Sequence, residues 1–227
     1  MSRVVVPVAV LQNETVSTGL ITLLGTVDVT VLGYHQVPDQ TSPDQARDQF
    51  ESRARAALED VTQEFRQAGG DADYQLVFTP NRIKTLRRIT TAVNARAVAV
   101  NGPTGDVDRL LVSLTGTVDT DRILEFVIEV IGPRDIGVTL FAAGNETEDA
   151  DSSLEDAADG LRDAGIDTHV RRGSGRPFGA LVEAASDHDV VVMGERAPSL
   201  RSVLFGDEAE RVAAESVGPV LVVRTTE

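Results

Sequence analysis

Asp189-Val190-Val191-Val192-Met193-Gly194 opens the stretch that decides the fold, and Gly218-Pro219-Val220-Leu221-Val222-Val223 closes it. Both apolar runs are short, largely β-branched and free of polar alternation. That is the pattern of strands buried on both faces of a parallel sheet. Between them lie a polar loop with Arg196, Ser199, Arg201 and Ser202, the turn Phe205-Gly206-Asp207, and a helical pattern over 208–217 that Gly218-Pro219 stops. A glycine loop joining a strand's carboxyl end to a helix N-terminus is where α/β folds bind phosphates.

Strands and helices alternate outward from this stretch along the whole chain. Just before it, strands are expected at 109–114, 136–142 and 168–172, with helices at 123–131, from Ser152 to Gly165, and around Phe178, Leu181, Val182 and Ala185. Ser152 with Glu155 reads as a capping box, and the acidic stretch 145–151 as a solvated loop. Earlier still, the same order runs once more: strands at 3–11, 28–37, 74–79 and 97–100, with helices between them. Asn13 or Thr15 is the expected cap of the first helix, Ser42-Pro43 starts the second, and Gly69-Gly70 ends it. Two such runs in succession are an internal duplication, with the first helices ending at Gly25 and Gly132. The expected architecture is two tandem flavodoxin-like, Rossmann-like α/β sandwiches with mostly parallel sheets, at 1–106 and 107–227. The first lacks the final helix and edge strand.

Composition narrows the function. With 36 acidic residues against 21 basic ones the net charge is −15, and Lys84 is the only lysine. Nucleic acid and anionic membranes would be repelled. Such acidity resembles that of salt-adapted, halophilic proteins, in which salt screens self-repulsion. Without cysteine there is neither disulfide nor thiolate chemistry. Met1-Ser2-Arg3 runs straight into a strand and no apolar run reaches membrane-spanning length, so the expected location is cytoplasmic, without membrane insertion.

The segment from Asp189 onward resembles the nucleotide-loop end of the universal stress protein family, whose pattern is strand-Gly-x2-Gly-x9-Gly-Ser/Thr, helix, then a Pro-Val-Leu-Val-Val strand. The framing strands and Gly194 match. Ala197 stands where the second glycine belongs, Gly206 comes one residue early, and Asp207 replaces the hydroxyl residue, where a carboxylate would repel a triphosphate. The family's adenosine-contacting Asp is replaced by Ala9 in the first run and by Thr115 in the second. The resemblance implies a non-catalytic binding or regulatory protein of the stress response with a degenerate nucleotide site. Two alternatives stay open: an adenine-nucleotide-binding protein (ATP or AMP) with slow ATP hydrolysis, and a soluble regulator of a membrane transporter. It also implies a homodimer through the strand at 219–224, and a protein partner is conceivable.

The candidate ligand crevice comprises Thr115, Gly116, Thr117, Gly173, Gly194, Arg196, Ser199, Gly206 and Asp207. Thr115 and Thr117 offer hydroxyls, or simply cap the next helix. Arg171-Arg172-Gly173-Ser174-Gly175-Arg176 is the one basic cluster in the acidic chain, and its guanidiniums suit a phosphate or carboxylate or else pair with surface acids. His35, His169 and His188 fall in separate elements without metal-ligand spacing, so neither a catalytic residue nor a metal is expected.

Overall fold

The computed structural model describes residues 1–12, 14–38, 42–144, 148–195 and 218–225. The chain forms two compact units, Met1–Asn101 and Gly102–Glu227. Each is a mixed α/β layer structure with parallel strands, the class expected from the alternation.

The first unit runs β1 (Arg3–Ala9), α1 (Thr18–Leu23), β2 (Asp28–Gln36), α2 (Pro43–Gln67), β3 (Ala72–Thr79), α3 (Arg82–Ala92) and β4 (Ala97–Val100). Its pairings give the order β3-β2-β1-β4, all parallel. Val4, Val5 and Val6 of β1 are wholly buried, as continuous β-branched runs between two layers should be. Pro7 is tolerated inside this strand because β4 registers only with Val4 and Val5. The missing donor therefore falls beyond the ladder. Proline at the first helical position of α2 follows Ser42, whose side chain makes no cap bond. The helix lays fully buried Leu58 over Gly33 of β2, where an added Cβ would sit 2.4 Å from Leu58 Cδ1.

The second unit runs β5 (Arg109–Ser113), α4 (Thr120–Ile131), β6 (Gly137–Ala143), α5 (Glu148–Asp163), β7 (Thr168–Gly173), α6 (Pro177–Ala185), β8 (Val190–Gly194) and β9 (Val220–Val223). The order is β7-β6-β5-β8-β9, again parallel throughout. The two apolar runs first quoted are β8 and β9, and both are buried along their length. Asp189 precedes β8, and its Oδ2 accepts from the amides of Asp108 and Arg109 at 2.9 Å each. One carboxylate thus sets the start of β5 against the start of β8. Switch points fall between β1 and β4 in the first unit and between β5 and β8 in the second, where the chain reverses its direction of travel across the strands.

Several local expectations are overturned. α5 begins at Glu148, so Ser152 lies inside the helix and caps nothing, and 148–151 are helical rather than loop. Acids are favoured in a helix's first turn by the backbone dipole, which lets the helix start earlier than the Ser-x-x-Glu pattern indicates. The cap of α1 is Ser17 rather than Thr15, and no side-chain bond is made there; Asn13 lies outside the described residues. α4 is capped by Asp119, whose Oδ1 accepts from the Arg122 amide at 3.2 Å, and not by Thr115 or Thr117. The helix expected over 208–217 also lies outside the described residues.

Candidate functional site

A cleft of about 440 Å³ opens over the carboxyl ends of β5, β6 and β7 in the second unit. It lies to the β7 side of the switch point. Leu114, Thr115 and Gly116 form one wall, Ala142 to Gly144 the floor, Ser153 and Leu154 of α5 a second wall, and Arg172 with Pro177 the third. Thr120, at the first turn of α4, completes the lining. Among the described residues of the lining, Arg172 is the one that carries a charge. Pro177 begins α6, whose N-cap residue Arg176 makes no side-chain cap bond. The α6 amides are therefore without a side-chain acceptor from that residue.

The expected crevice residues divide into three groups. Thr115 and Gly116 reach the cleft. Thr115 is nearly buried, and its Oγ1 accepts from the Ala143 amide at 3.0 Å and from the Ser113 hydroxyl at 3.3 Å. Its first task is to tie the exit of β5 to that of β6, leaving one hydroxyl proton to offer. Gly116 takes φ +86°, a conformation that side chains resist. Thr117 is exposed and outside the lining.

Gly173 and Gly194 form the second group, and packing explains both. A Cβ on Gly173 would lie 2.5 Å from Phe141 Cζ and 2.9 Å from Ala180 Cβ, because α6 presses the Phe141 ring onto β7. A Cβ on Gly194 would lie 2.9 Å from Val118 Cγ1, where the loop after β5 folds over the end of β8. The remaining residues, Arg196, Ser199, Gly206 and Asp207, lie outside the described residues, as do Ala197, Arg201 and Ser202.

Arg171 and Arg172 are adjacent on a strand and so point to opposite faces. Arg172 lines the cleft, whereas Arg171 acts on His188 from the α6 side. The two guanidiniums do not converge. Nor is 171–176 the only basic cluster: α3 carries Arg82, Lys84, Arg87 and Arg88 with no carboxylate. That signal was present in the sequence and was missed, as were the contributions of Thr120 and Ser153.

The histidines are engaged separately. His35 packs its ring against Phe50 and Phe78, and His169 stands 3.8 Å from Asp167. His188 bridges the Ala184 carbonyl through Nδ1 and the Thr139 hydroxyl through Nε2, at 2.8 Å each. The carbonyl assigns the proton to Nδ1, so Nε2 accepts from Thr139. Burial pushes the His188 pKa below its ordinary value; Arg109 and Arg171 push the same way, while the Ala184 carbonyl and Asp187 oppose. A depressed folded-state pKa means that the unfolded chain takes up the proton first as pH falls. The stability due to His188 is therefore full above about 6.5 and declines as pH drops from there through the lower folded value. The stability advantage of wild type over His188→Gln should shrink over that window in urea unfolding. A difference independent of pH would contradict this account.

No helix among the described residues is long and apolar enough to cross a membrane. Residues 107–224 match the model of the universal stress protein family. Among curated proteins, universal stress protein G of Salmonella typhimurium is 46% identical over 59 residues, covering 26% of this chain and 42% of that protein. The chain thus spans less than half the length of the curated relative it matches. A universal stress protein from Archaeoglobus fulgidus aligns with 98% of this chain and 98% of its own, at 18% identity and a TM-score of 0.64. That likeness shows the fold. A universal stress protein solved in complex with cAMP covers 53% of this chain at 24% identity and a TM-score of 0.42.

Proposed function

Because the chain belongs to the universal stress protein family, we propose that it is a non-catalytic binding and regulatory protein of the stress response whose second unit takes a small anionic ligand. The observation that carries this reading is Arg172 on the wall of the 440 Å³ cleft, among small and hydroxyl-bearing residues and with no carboxylate among the described lining residues. Sites for small molecules have volumes of about 300–1,000 Å³ and a few well-placed polar groups. Arg172 would grip a phosphate or carboxylate, Ser153 and Thr120 would donate hydroxyls, and the start of α6 would add amide donors. The family's nucleotide loop is degenerate at Ala197, Gly206 and Asp207.

Thermal unfolding in molar salt tests this reading against inorganic phosphate, AMP, ADP and ATP with magnesium. A ligand of the native state raises the midpoint. Phosphate or a simple organic anion should do so, with ATP no better. Arg172→Ala should weaken binding by about tenfold to a hundredfold, the worth of a charge-assisted hydrogen bond. A clear rise at sub-millimolar ATP would favour the second reading, an ATP- or AMP-binding protein with slow hydrolysis. In that case Asp207→Ser should bind better still, since it restores the hydroxyl residue of the family pattern and removes a carboxylate that would repel phosphate. The acidic composition points to salt adaptation, and light scattering separates the 24.2 kDa chain from a homodimer.

A further inference from the structure

The switch point of the first unit is occupied from within. Pro7 and Ala9 lie on β1 beyond the last residue that pairs with β4, so the Pro7 carbonyl and the Ala9 amide find their partners outside the ladder. Glu14, from the connection between β1 and α1, closes the switch point. One carboxylate oxygen accepts from the Ala9 amide at 2.6 Å, and the other accepts from Asn101 Nδ2 at 2.8 Å. Asn101 follows β4 directly, and its Nδ2 also approaches the Pro7 carbonyl at 3.3 Å. A single carboxylate therefore spans the two strands that flank the switch point, where doubly wound folds receive their ligands.

The surroundings suit an anion. The Arg82 guanidinium at the start of α3 lies 4.9 Å over the Tyr34 ring, at the carboxyl end of β2. Burial raises the pKa of the Tyr34 hydroxyl; Arg82 lowers it, and Glu14 raises it. Both charges are thus felt at the same edge of the unit. Among its described residues the second unit lacks this arrangement. Its connection after β5 is shorter, Gly116, Thr117 and Val118 bring no carboxylate to the switch point, and Asp119 is committed to capping α4.

We propose that the switch-point crevice of the first unit is a small-anion site whose resident ligand is the chain's own Glu14 carboxylate. Removing that carboxylate opens the site to monocarboxylates of the size of formate or acetate. In the intact chain the site is self-filled, so external anions are left to the second unit. That last clause rests on the function proposed above, and the site itself does not.

The test is rescue in the full chain. Glu14→Ala should lower the thermal midpoint, and sodium formate should restore part of the loss beyond what equal sodium chloride does. With Glu14 intact and the second-unit cleft disabled by Arg172→Ala, the chain should respond alike to the two salts. Adding Arg172→Ala to Glu14→Ala should leave the rescue intact, which separates this site from the cleft of the second unit. Glu14→Gln keeps one oxygen acceptor but sets an amide donor against a donor, so it should be weakened and not rescued. If Glu14→Ala does not fold, the Gln variant decides through hydrogen exchange: with one acceptor left for two donors, either the Ala9 amide or the Asn101 side-chain amide should exchange about tenfold faster or more. Superimposable formate and chloride curves for Glu14→Ala, or unchanged exchange at both of those amides in the Gln variant, would overturn the proposal.

Discussion

Phe141→Ala is expected to destabilise the second unit by about 3–5 kcal/mol, and Gly173→Ala by about 1–3 kcal/mol. Phe141 is wholly buried on β6, so its loss removes apolar burial and leaves a cavity. Gly173 has the complementary problem, because an added methyl would stand 2.5 Å from the edge of that same ring. The two substitutions should therefore not add. In the double variant the new methyl enters the space the ring has vacated, and the combined loss should fall short of the sum by about 0.5–3 kcal/mol. Urea unfolding of the four proteins measures the cycle. Additive losses would mean that the ring is not why glycine stands at 173. Readmitting that residue to the ligand site would then be required.

The same pair shows what a sequence conveys and what it withholds. Strands β8 and β9 were legible because Val190 to Val192 and Val220 to Val223 are continuous apolar runs, a pattern few other structures explain. Parallel alternation and the family resemblance followed from them. In the sequence Gly173 and Gly194 suit a ligand site, because a bare position looks alike whether it admits a phosphate or a neighbouring side chain. Only the Phe141 and Val118 contacts distinguish the cases. Arg171 and Arg172 were grouped by adjacency, although the two-residue period of a strand already places them on opposite faces. The four cations of α3 needed no structure to be noticed. Glu14 was beyond reach: its partner Asn101 is 87 residues away, and no local pattern joins a connection after β1 to the residue after β4. The start of α5 was misplaced because a capping box competes with every other favourable helix start, including one rich in acids.

Gly25→Ala should destabilise the first unit towards the upper end of the about 1–3 kcal/mol range for overpacking, occasionally beyond it, with no side-chain change able to restore the loss. Gly25 lies in the 3₁₀ turn Leu24–Thr26 between α1 and β2. A Cβ there would fall 2.3 Å from the Ala68 carbonyl oxygen and 3.0 Å from its carbon. Ala68 is the C-cap of α2, and its amide donates to the Glu64 and Phe65 carbonyls, so the peptide that follows cannot swing away without fraying the helix end. Gly70 meets the turn in the same way, with its would-be Cβ 2.4 Å from the Val27 carbonyl oxygen, and Gly69 between them holds φ +117°. Backbone therefore approaches backbone at this corner, which gives Gly69 and Gly70 a second reason beyond ending a helix. The contrast with Gly173 is the content of the prediction. There the obstacle is a side chain and Phe141→Ala relieves it; here it is a carbonyl group. Ala68→Gly in the Gly25→Ala background should leave the loss in place, since the Ala68 methyl is 3.4 Å away and in ordinary contact. Restoration by that second change, or a single-variant loss within about 0.5 kcal/mol of wild type, would show that the corner yields and that the close approach is not what fixes glycine at 25.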